Sequence, residues 1–420
     1  MDLVLGTHAL GLGGSETYLI TLAEQLQRLG HRVALTAVSP EKGAAVARRR
    51  GVRVFPLGDD DGVEREVQPP GEWDELPERC DGVVAQDGVS AFELARRYPE
   101  APLVFVAHSE EFDEQLPPQI DGLVDAVVVL NDRVERRVRA LAADFDVVRL
   151  RQPIDTTRFK PRSRLPAVPR RLLLFGNYAE RGRLELVADV ASEAGLELVR
   201  VGAKEVQTER PERDIDAADI VMGYGRCVLE GMACGRPAYV YDHLGGDGWV
   251  TPSTYPALEA DGFGGRAFAT VVDRARLLRD LRAYEPEAGL VNRDLVVTGH
   301  RAEHHAQEVV TLLDSIRVPR RRRTDVYGEL ARLVRAQWRG DARVIELEEV
   351  VATLNDQLAV ERAERAAREA AHAAERAAKE GERTAVARHL DTVIGSRRYR
   401  IGAALARPLD AARALRRGPG

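Results

Sequence analysis

Short apolar runs alternate with stretches of helical periodicity along most of this chain. Leu3-Val4-Leu5 predicts a strand, Glu16 to about Leu29 a helix ended by Gly30, and Arg32 to Val38 the next strand. Further strands are predicted at Val52 to Pro56, Gly82 to Ala85, Leu103 to Ala107, Ala126 to Leu130 and Val147 to Leu150. After Pro153, Pro161 and Pro166, which suit a stiff crossing between domains, the alternation restarts. Its second run predicts strand Arg171 to Phe175, helix Arg181 to Ala194, strand Glu197 to Val201, strand Ile220 to Met222, helix Arg226 to Cys234 and strand Ala238 to Asp242. Strands and helices taking turns in this way imply mostly parallel sheets.

The globular pattern ends with a helix from Arg301 to Ile316, and the basic run Pro319 to Arg323 breaks it. From Asp341 to Leu390 the residues are almost all helix formers. Val344, Leu347, Val351, Leu354 and Leu358 follow the three-four spacing of a coiled-coil seam, continued weakly by Ala363, Ala366, Ala370, Ala373 and Ala377. A homodimer through this segment and a solvated single helix are both open. The final stretch, 395–420, holds seven arginines against Asp410 alone, with Ile401, Leu405, Leu409 and Leu415 on an apolar side. It suits an anionic membrane surface, and a partner-docking or disordered tail stays open beside that. The predicted organisation is 1–152, a linker 153–166, 167–317, a basic linker 318–340, a helical segment 341–394 and the tail 395–420.

With 420 residues, two domains plus an appendage is the expected count. A net charge of -6 gives no case for nucleic-acid binding. Cys80, Cys227 and Cys234 are too few for a disulfide framework and favour a reducing compartment. No basic leader opens MDLVLG and no apolar run reaches a membrane-spanning length, so a cytoplasmic protein is expected.

Two glycine turns carry the candidate chemistry. Gly223-Tyr224-Gly225 sits between a strand and a helix, where first-turn amides and the helix dipole suit a phosphate or diphosphate. Glu230, one turn into that helix, could accept two hydroxyl hydrogen bonds, as a ribose offers. The loop Gly11-Leu12-Gly13-Gly14-Ser15 opens the first helix, but Glu16 stands where a dinucleotide fingerprint needs a small residue, which argues against a dehydrogenase. His108 follows an apolar strand, at the sheet end where open α/β folds place ligands. Asp59-Asp60-Asp61 has D-x-D spacing but reads as a solvated turn, and His300 to His304 matches an H-x-x-E-H zinc pattern without a third ligand. No metal site is expected.

The order G-Y-G-x-x-x-L-E-x-M-A-x-G-x-P from Gly223 to Pro237 resembles the donor-binding segment of family 4 glycosyltransferases of the GT-B fold. The G-G-S-E loop and the stretch Pro153 to Pro161 resemble that family's first loop and interdomain signature. The resemblance covers residues 1 to 317. It implies two Rossmann-like domains facing a cleft, a nucleoside-diphosphate-sugar donor, a glycan or lipid-linked acceptor such as a cell-surface polysaccharide, retention of configuration, and no metal or other cofactor. It also implies that Gly13, Gly14, His108, Asn177, Gly223, Tyr224 and Gly225 face the donor, that Glu230 holds the ribose, and that Arg226 with Arg181, or else Arg183, stabilises the departing diphosphate. The sequence departs from the family at two places: Asn177 stands where an arginine is usual, and Met222 where the first of two glutamates eight positions apart would fall. These departures leave open a catalytically silent nucleotide-sugar-binding subunit that assembles through its helical tail. A sugar-nucleotide epimerase on the same fold lacks a paired acid and base. The tail also resembles those of some bacterial surface-polysaccharide enzymes, which implies peripheral attachment at the inner face of the plasma membrane.

Overall fold

The computed structural model describes residues 1–57, 68–71, 73–176, 181–202, 208–242, 245–268, 272–316 and 326–405. Two sheets organise the first of two compact units, Met1–Arg332. The first sheet contains β1 (Asp2–Ala9), β2 (Arg32–Ser39), β3 (Arg53–Pro56), β4 (Gly82–Ala85), β5 (Leu103–Ala107), β6 (Ala126–Val129) and β7 (Val147–Arg149). All neighbours are parallel, in the order β3-β2-β1-β4-β5-β6-β7. Its connecting helices are α1 (Gly14–Arg28), α2 (Lys42–Arg49), α3 (Gly88–Arg97) and α4 (Asp132–Arg139). Strands buried on both faces need apolar residues throughout, and Leu103 to Ala107 is buried at every position.

The second sheet contains β8 (Arg171–Phe175), β9 (Glu197–Val201), β10 (Ile220–Gly223), β11 (Ala238–Asp242) and β12 (Gly245–Trp249), ordered β12-β11-β10-β8-β9. Helices α5 (Arg181–Glu193), α6 (Pro211–Asp216), α7 (Arg226–Ala233), α8 (Tyr255–Asp261), α9 (Arg274–Arg282), α10 (Ala288–Gly299) and α11 (Ala302–Ser315) accompany it in the chain. The fold is α/β with parallel sheets of Rossmann-like character.

Three findings modify the reading from sequence. Gly245 to Gly248, a glycine-rich stretch with the signature of a turn, belongs to the antiparallel edge strand β12. It pairs with β11 across a register shift at Val240/Tyr241, which glycines at positive φ accommodate, and Asp247 accepts amides from Ala267 and Phe268. Met222 lies inside β10, fully buried beside Leu172, Leu174 and Tyr239, so its side chain fills the core and does not reach a ligand. Helix α11 places Ala306, Val309 and Leu313 in the core of the first sheet, because its apolar face matches that of α1. The chain therefore crosses between domains twice. At the crossings Ile154 N donates to His300 O and Ala302 N donates to Ile154 O, an isolated parallel bridge.

The second compact unit spans Leu333–Gly420. Helix α12 (Val326–Gly395) runs for 70 residues, and its Val344, Leu347, Val351, Leu354 and Leu358 are all exposed. Helical structure resumes over 397–405. Among the described residues, no helix is long and apolar enough to cross a membrane. Asp59 to Asp61, Asn177, the run 319–323 and residues 406–420 lie outside the described residues, and so does the side chain of Arg181, whose backbone starts α5.

Candidate active site: a cleft between two glycine turns

β1 and β10 each end in a glycine turn that feeds a helix. The first helix, α1, has Gly13 as its N-cap, and α7 has Gly225, at φ 58 and ψ -132. A glycine cap has no side chain to accept a first-turn amide. Helices α3, α4 and α9 differ, capped by Asp87, Asn131 and Asp273. Helices α2, α6, α8, α10 and α11 also lack a side-chain cap, and what sets the starts of α1 and α7 apart is that both open on one cleft.

Both turns open on a cleft of about 510 Å³ lined by Gly13, Gly14, Glu16, His108, Tyr224 and Gly225, among others. A smaller cavity of about 190 Å³ lies on the other side of the same wall, lined by Arg50, Arg158, Phe175, Gly202, Pro211 and Glu230. The two cavities share Gly13, Gly14, Arg226 and Cys227. Gly223 does not line either one. A Cβ there would stand 2.3 Å from Phe175 O, so this glycine lets β10 pass β8 closely and sets the start of α7.

Arg226 is the most connected side chain of the site. Its Nε donates to Glu230 Oε1 at 2.8 Å, Nη1 to Pro153 O at 2.9 Å and Nη2 to Thr21 Oγ1 at 3.3 Å. It therefore joins α7 to the interdomain crossing and to α1. Arg226 is 8% exposed and Glu230 4%, a nearly buried i,i+4 ion pair that gives the carboxylate a countercharge and a fixed direction.

His108 sits at the end of β5. Gln86 fixes its tautomer: Gln86 Nε2 donates to Thr7, so its Oε1 accepts from His108 Nε2 at 3.1 Å, leaving Nδ1 as the acceptor. Burial first, then the Arg226 and His305 charges, push the His108 pKa down to about 3, so the ring is neutral at pH 7. Tyr18 packs edge-on against it at 4.8 Å.

Two more histidines, of which His300 lines the cleft, are locked in the same way. His305 Nδ1 donates to Arg151 O at 3.0 Å and Nε2 accepts from Tyr18 at 2.7 Å; His300 Nδ1 donates to Gln152 O at 2.7 Å and Nε2 accepts from Tyr255 at 2.8 Å. Burial pushes both pKa values down to about 4. His304 is exposed, so the H-x-x-E-H spacing does not converge, and no group of three metal-binding side chains occurs among the described residues.

Sequence reasoning missed Glu16, Arg50 and Arg158 as cavity residues. Glu16 folds back over Gly13 and accepts from Ser15 Oγ at 3.1 Å, facing the larger cavity alone. Its place in G-G-S-E was the available signal. Arg158 falls inside the Pro153 to Pro161 stretch and Arg50 in no motif, and the two come to one cavity only through the fold.

Residues 12–158 match the profile of Glycosyltransferase Family 4. Among solved structures, HepE (Alr3699) of Anabaena, determined with UDP and glucose, is similar at 13% identity. The match covers 75% of this chain and all of that one, with a TM-score of 0.53. The chain has the GT-B fold, and its residues 12–158 resemble Glycosyltransferase Family 4. A glycosyltransferase from Rickettsia africae (13% identity, 75% and 98% covered, TM-score 0.48) and TarM of S. aureus (8%, 74% and 99%, TM-score 0.48) are also similar. No curated protein matches the sequence. In this fold the cleft lies at the ends of parallel strands of the two sheets, where open α/β sheets bind ligands.

Proposed function

We propose that the enzyme transfers a sugar from a nucleoside-diphosphate-sugar donor to a glycan or lipid-linked acceptor, such as a cell-surface polysaccharide, with retention and without a metal. The observation that carries this reading is the pair of cavities meeting at Gly13, Gly14, Arg226 and Cys227. A nucleoside fits the smaller cavity, a diphosphate the shared wall and a sugar the larger cleft. Glu230 Oε1 is held by Arg226, which leaves Oε2 to accept from the ribose. First-turn amides of α7, with Arg226 and with Arg181 at the start of α5, stabilise charge on the departing diphosphate. Neutral His108 presents Nδ1 as an acceptor to a sugar hydroxyl, and Tyr224 and Gly225 form the floor.

A thermal-shift screen of nucleoside diphosphates and their sugar conjugates, on wild type and Glu230→Ala, tests this reading. A ligand at about 100 times its dissociation constant adds roughly 2.7 kcal/mol and raises the melting point by several degrees. One nucleotide should stabilise wild type and fail on the variant. A flat screen would remove the donor assignment. Product NMR in the presence of a chelator then reports configuration and metal independence.

The exposed seam of α12 supports a homodimer, tested by sedimentation of wild type and Leu354→Arg. The arginines of 395–420 support docking on an anionic inner-membrane face, tested by flotation with anionic vesicles with and without those residues.

A further inference from the structure

The mouth of the larger cleft is spanned by charge. Arg266, past the end of α8, donates Nη1 to Glu110 Oε1 at 3.2 Å and Nη2 to Glu111 Oε1 at 2.9 Å. Both glutamates stand in the segment after β5, just beyond His108 and Ser109. Arg133, near the start of α4, lies between the two sides, its Nε 3.2 Å from Glu110 and its Nη1 3.4 Å from Asp261.

The turn that carries Arg266 is shaped by this approach. Asp261 Oδ2 accepts from the amides of Gly264 at 2.9 Å and Arg266 at 3.2 Å. A Cβ on Gly262 would stand 2.6 Å from Asn131 Nδ2, and one on Gly264 2.8 Å from Arg133 Nη1, so glycine lets the turn lie this close to α4. Between them Phe263 has φ 57, and among the described residues it is the one non-glycine at positive φ. A bulky residue keeps that conformation only where its surroundings enforce it. Here the ring is buried against Tyr255 and His300, the N–H donates to Leu258 O at 2.7 Å, and the carbonyl accepts from Gly225 N at 2.9 Å. Gly225 is the N-cap of α7, so the turn at the mouth is bonded to the glycine turn on the cleft wall.

We propose that Arg266 is a positioning residue: its clasp on Glu110 and Glu111 holds the 261–266 turn so that Phe263 O fixes the Gly225 amide. The start of α7 is then set only when the cleft is shut. Opening for substrate parts Arg266 from the glutamates and loosens Gly225, and closure restores both while bringing the segment of His108 into register with α7. The importance of this link for sugar transfer rests on the proposed function, whereas the link itself does not.

Hydrogen–deuterium exchange of the full chain, free of ligand, reads the link directly. Arg266→Gln should speed exchange in the peptide holding Gly225 by about threefold or more. Glu110→Gln with Glu111→Gln should do the same, although these glutamates are bonded to the turn, among the described residues, only by Arg266. Arg266→Lys should keep most of the protection, and salt at about 0.5 M should bring wild type to the level of the variants. The amides of Ile154 and Ala302 should not change. A glutamate pair that leaves Gly225 protected, when Arg266→Gln does not, shows damage to the turn alone and overturns the proposal. So does faster exchange at Ile154 and Ala302 to the same degree, or no change at Gly225 in any variant. With a donor in hand, Arg266→Gln should lower kcat about threefold or more and leave the donor KM within about twofold; an unchanged kcat overturns the role in transfer. Wild type that binds no nucleoside diphosphate overturns the donor site and leaves the exchange result standing.

Discussion

The two glycine turns look alike in sequence and differ in charge. Each follows a buried parallel strand and starts a helix whose N-cap is glycine. At α7 the neighbouring acid, Glu230, is drawn down one turn by Arg226, so the helix start keeps its positive end clear. At α1 the neighbouring acid, Glu16, meets no such cation among the described residues and folds back over Gly13 into the larger cleft. A helix N-terminus is thus an anion site only when nearby acids are occupied elsewhere. The α7 turn suits an anion, and the α1 turn presents a carboxylate that can accept from hydroxyl groups in the cleft.

The strongest way to break this contrast is Arg226→Ala. It releases Glu230, exposes the diphosphate wall and cuts both interdomain hydrogen bonds. Turnover should fall by about two to three powers of ten, and the melting temperature should fall because a buried carboxylate loses its partner. A steady-state assay with normal turnover would show that α7 does not hold the leaving group. Next, Met222→Glu restores the carboxylate usual in the family, but in the core of the second sheet. It should cost several kcal/mol, of the order of 3, in denaturant unfolding and leave donor affinity unimproved. Enhanced activity would mean that the residue reaches the sugar after all.

Glu230→Gln keeps the shape of the α7 turn and removes its charge. Affinity for the nucleoside should drop by about tenfold, measured by calorimetry, while Arg226 keeps its bonds to Pro153 and Thr21. Glu16→Gln sharpens the comparison from the other side. Nucleoside diphosphate binding should stay within about twofold, or tighten as a negative charge leaves α1, while the acceptor KM rises severalfold. A separate effect is on acid stability. His300 and His305 are held neutral at about 4, below the ordinary 6.5, so the unfolded chain binds more protons between those values. Stability is therefore complete above pH 6.5 and declines as pH falls toward 4. Melting curves from pH 7.5 to 5 should show it, with a shallower slope in His305→Gln.

Most of the fold could be read from the sequence because parallel strands buried on both faces leave continuous apolar runs. Leu103 to Ala107 and Arg171 to Phe175 have the predicted bounds, and α7 ends one residue short. β12 was hidden because Gly-Gly-Asp-Gly carries a turn signature, and only pairing with β11 makes it a strand. The allegiance of α11 was hidden for a related reason: helical periodicity shows that a helix has an apolar face and not which core receives it. The site divides along the same line. Glycine turns and Glu230 stand close together in the chain and form a readable motif. The ties of Arg226 to Thr21 and Pro153, and the place of Arg50 and Arg158 in the smaller cavity, join residues from separate elements and emerge only when the chain folds.

The bridge between Ile154 and the turn at Arg301 has a mechanical consequence. Both chain crossings are bonded side by side, and His300 and His305 clamp the carbonyls of Gln152 and Arg151 next to them. Two strands sewn together resist shear and stretching but still allow twist, so the seam acts as an axle. The cleft should open by rotation about it, with little change in spacing near Ile154 and the widest travel at the rim, where Arg266 meets Glu110 and Glu111. The amides of Ile154 and Ala302 would then exchange with solvent among the slowest in the enzyme, even while the mouth opens and closes.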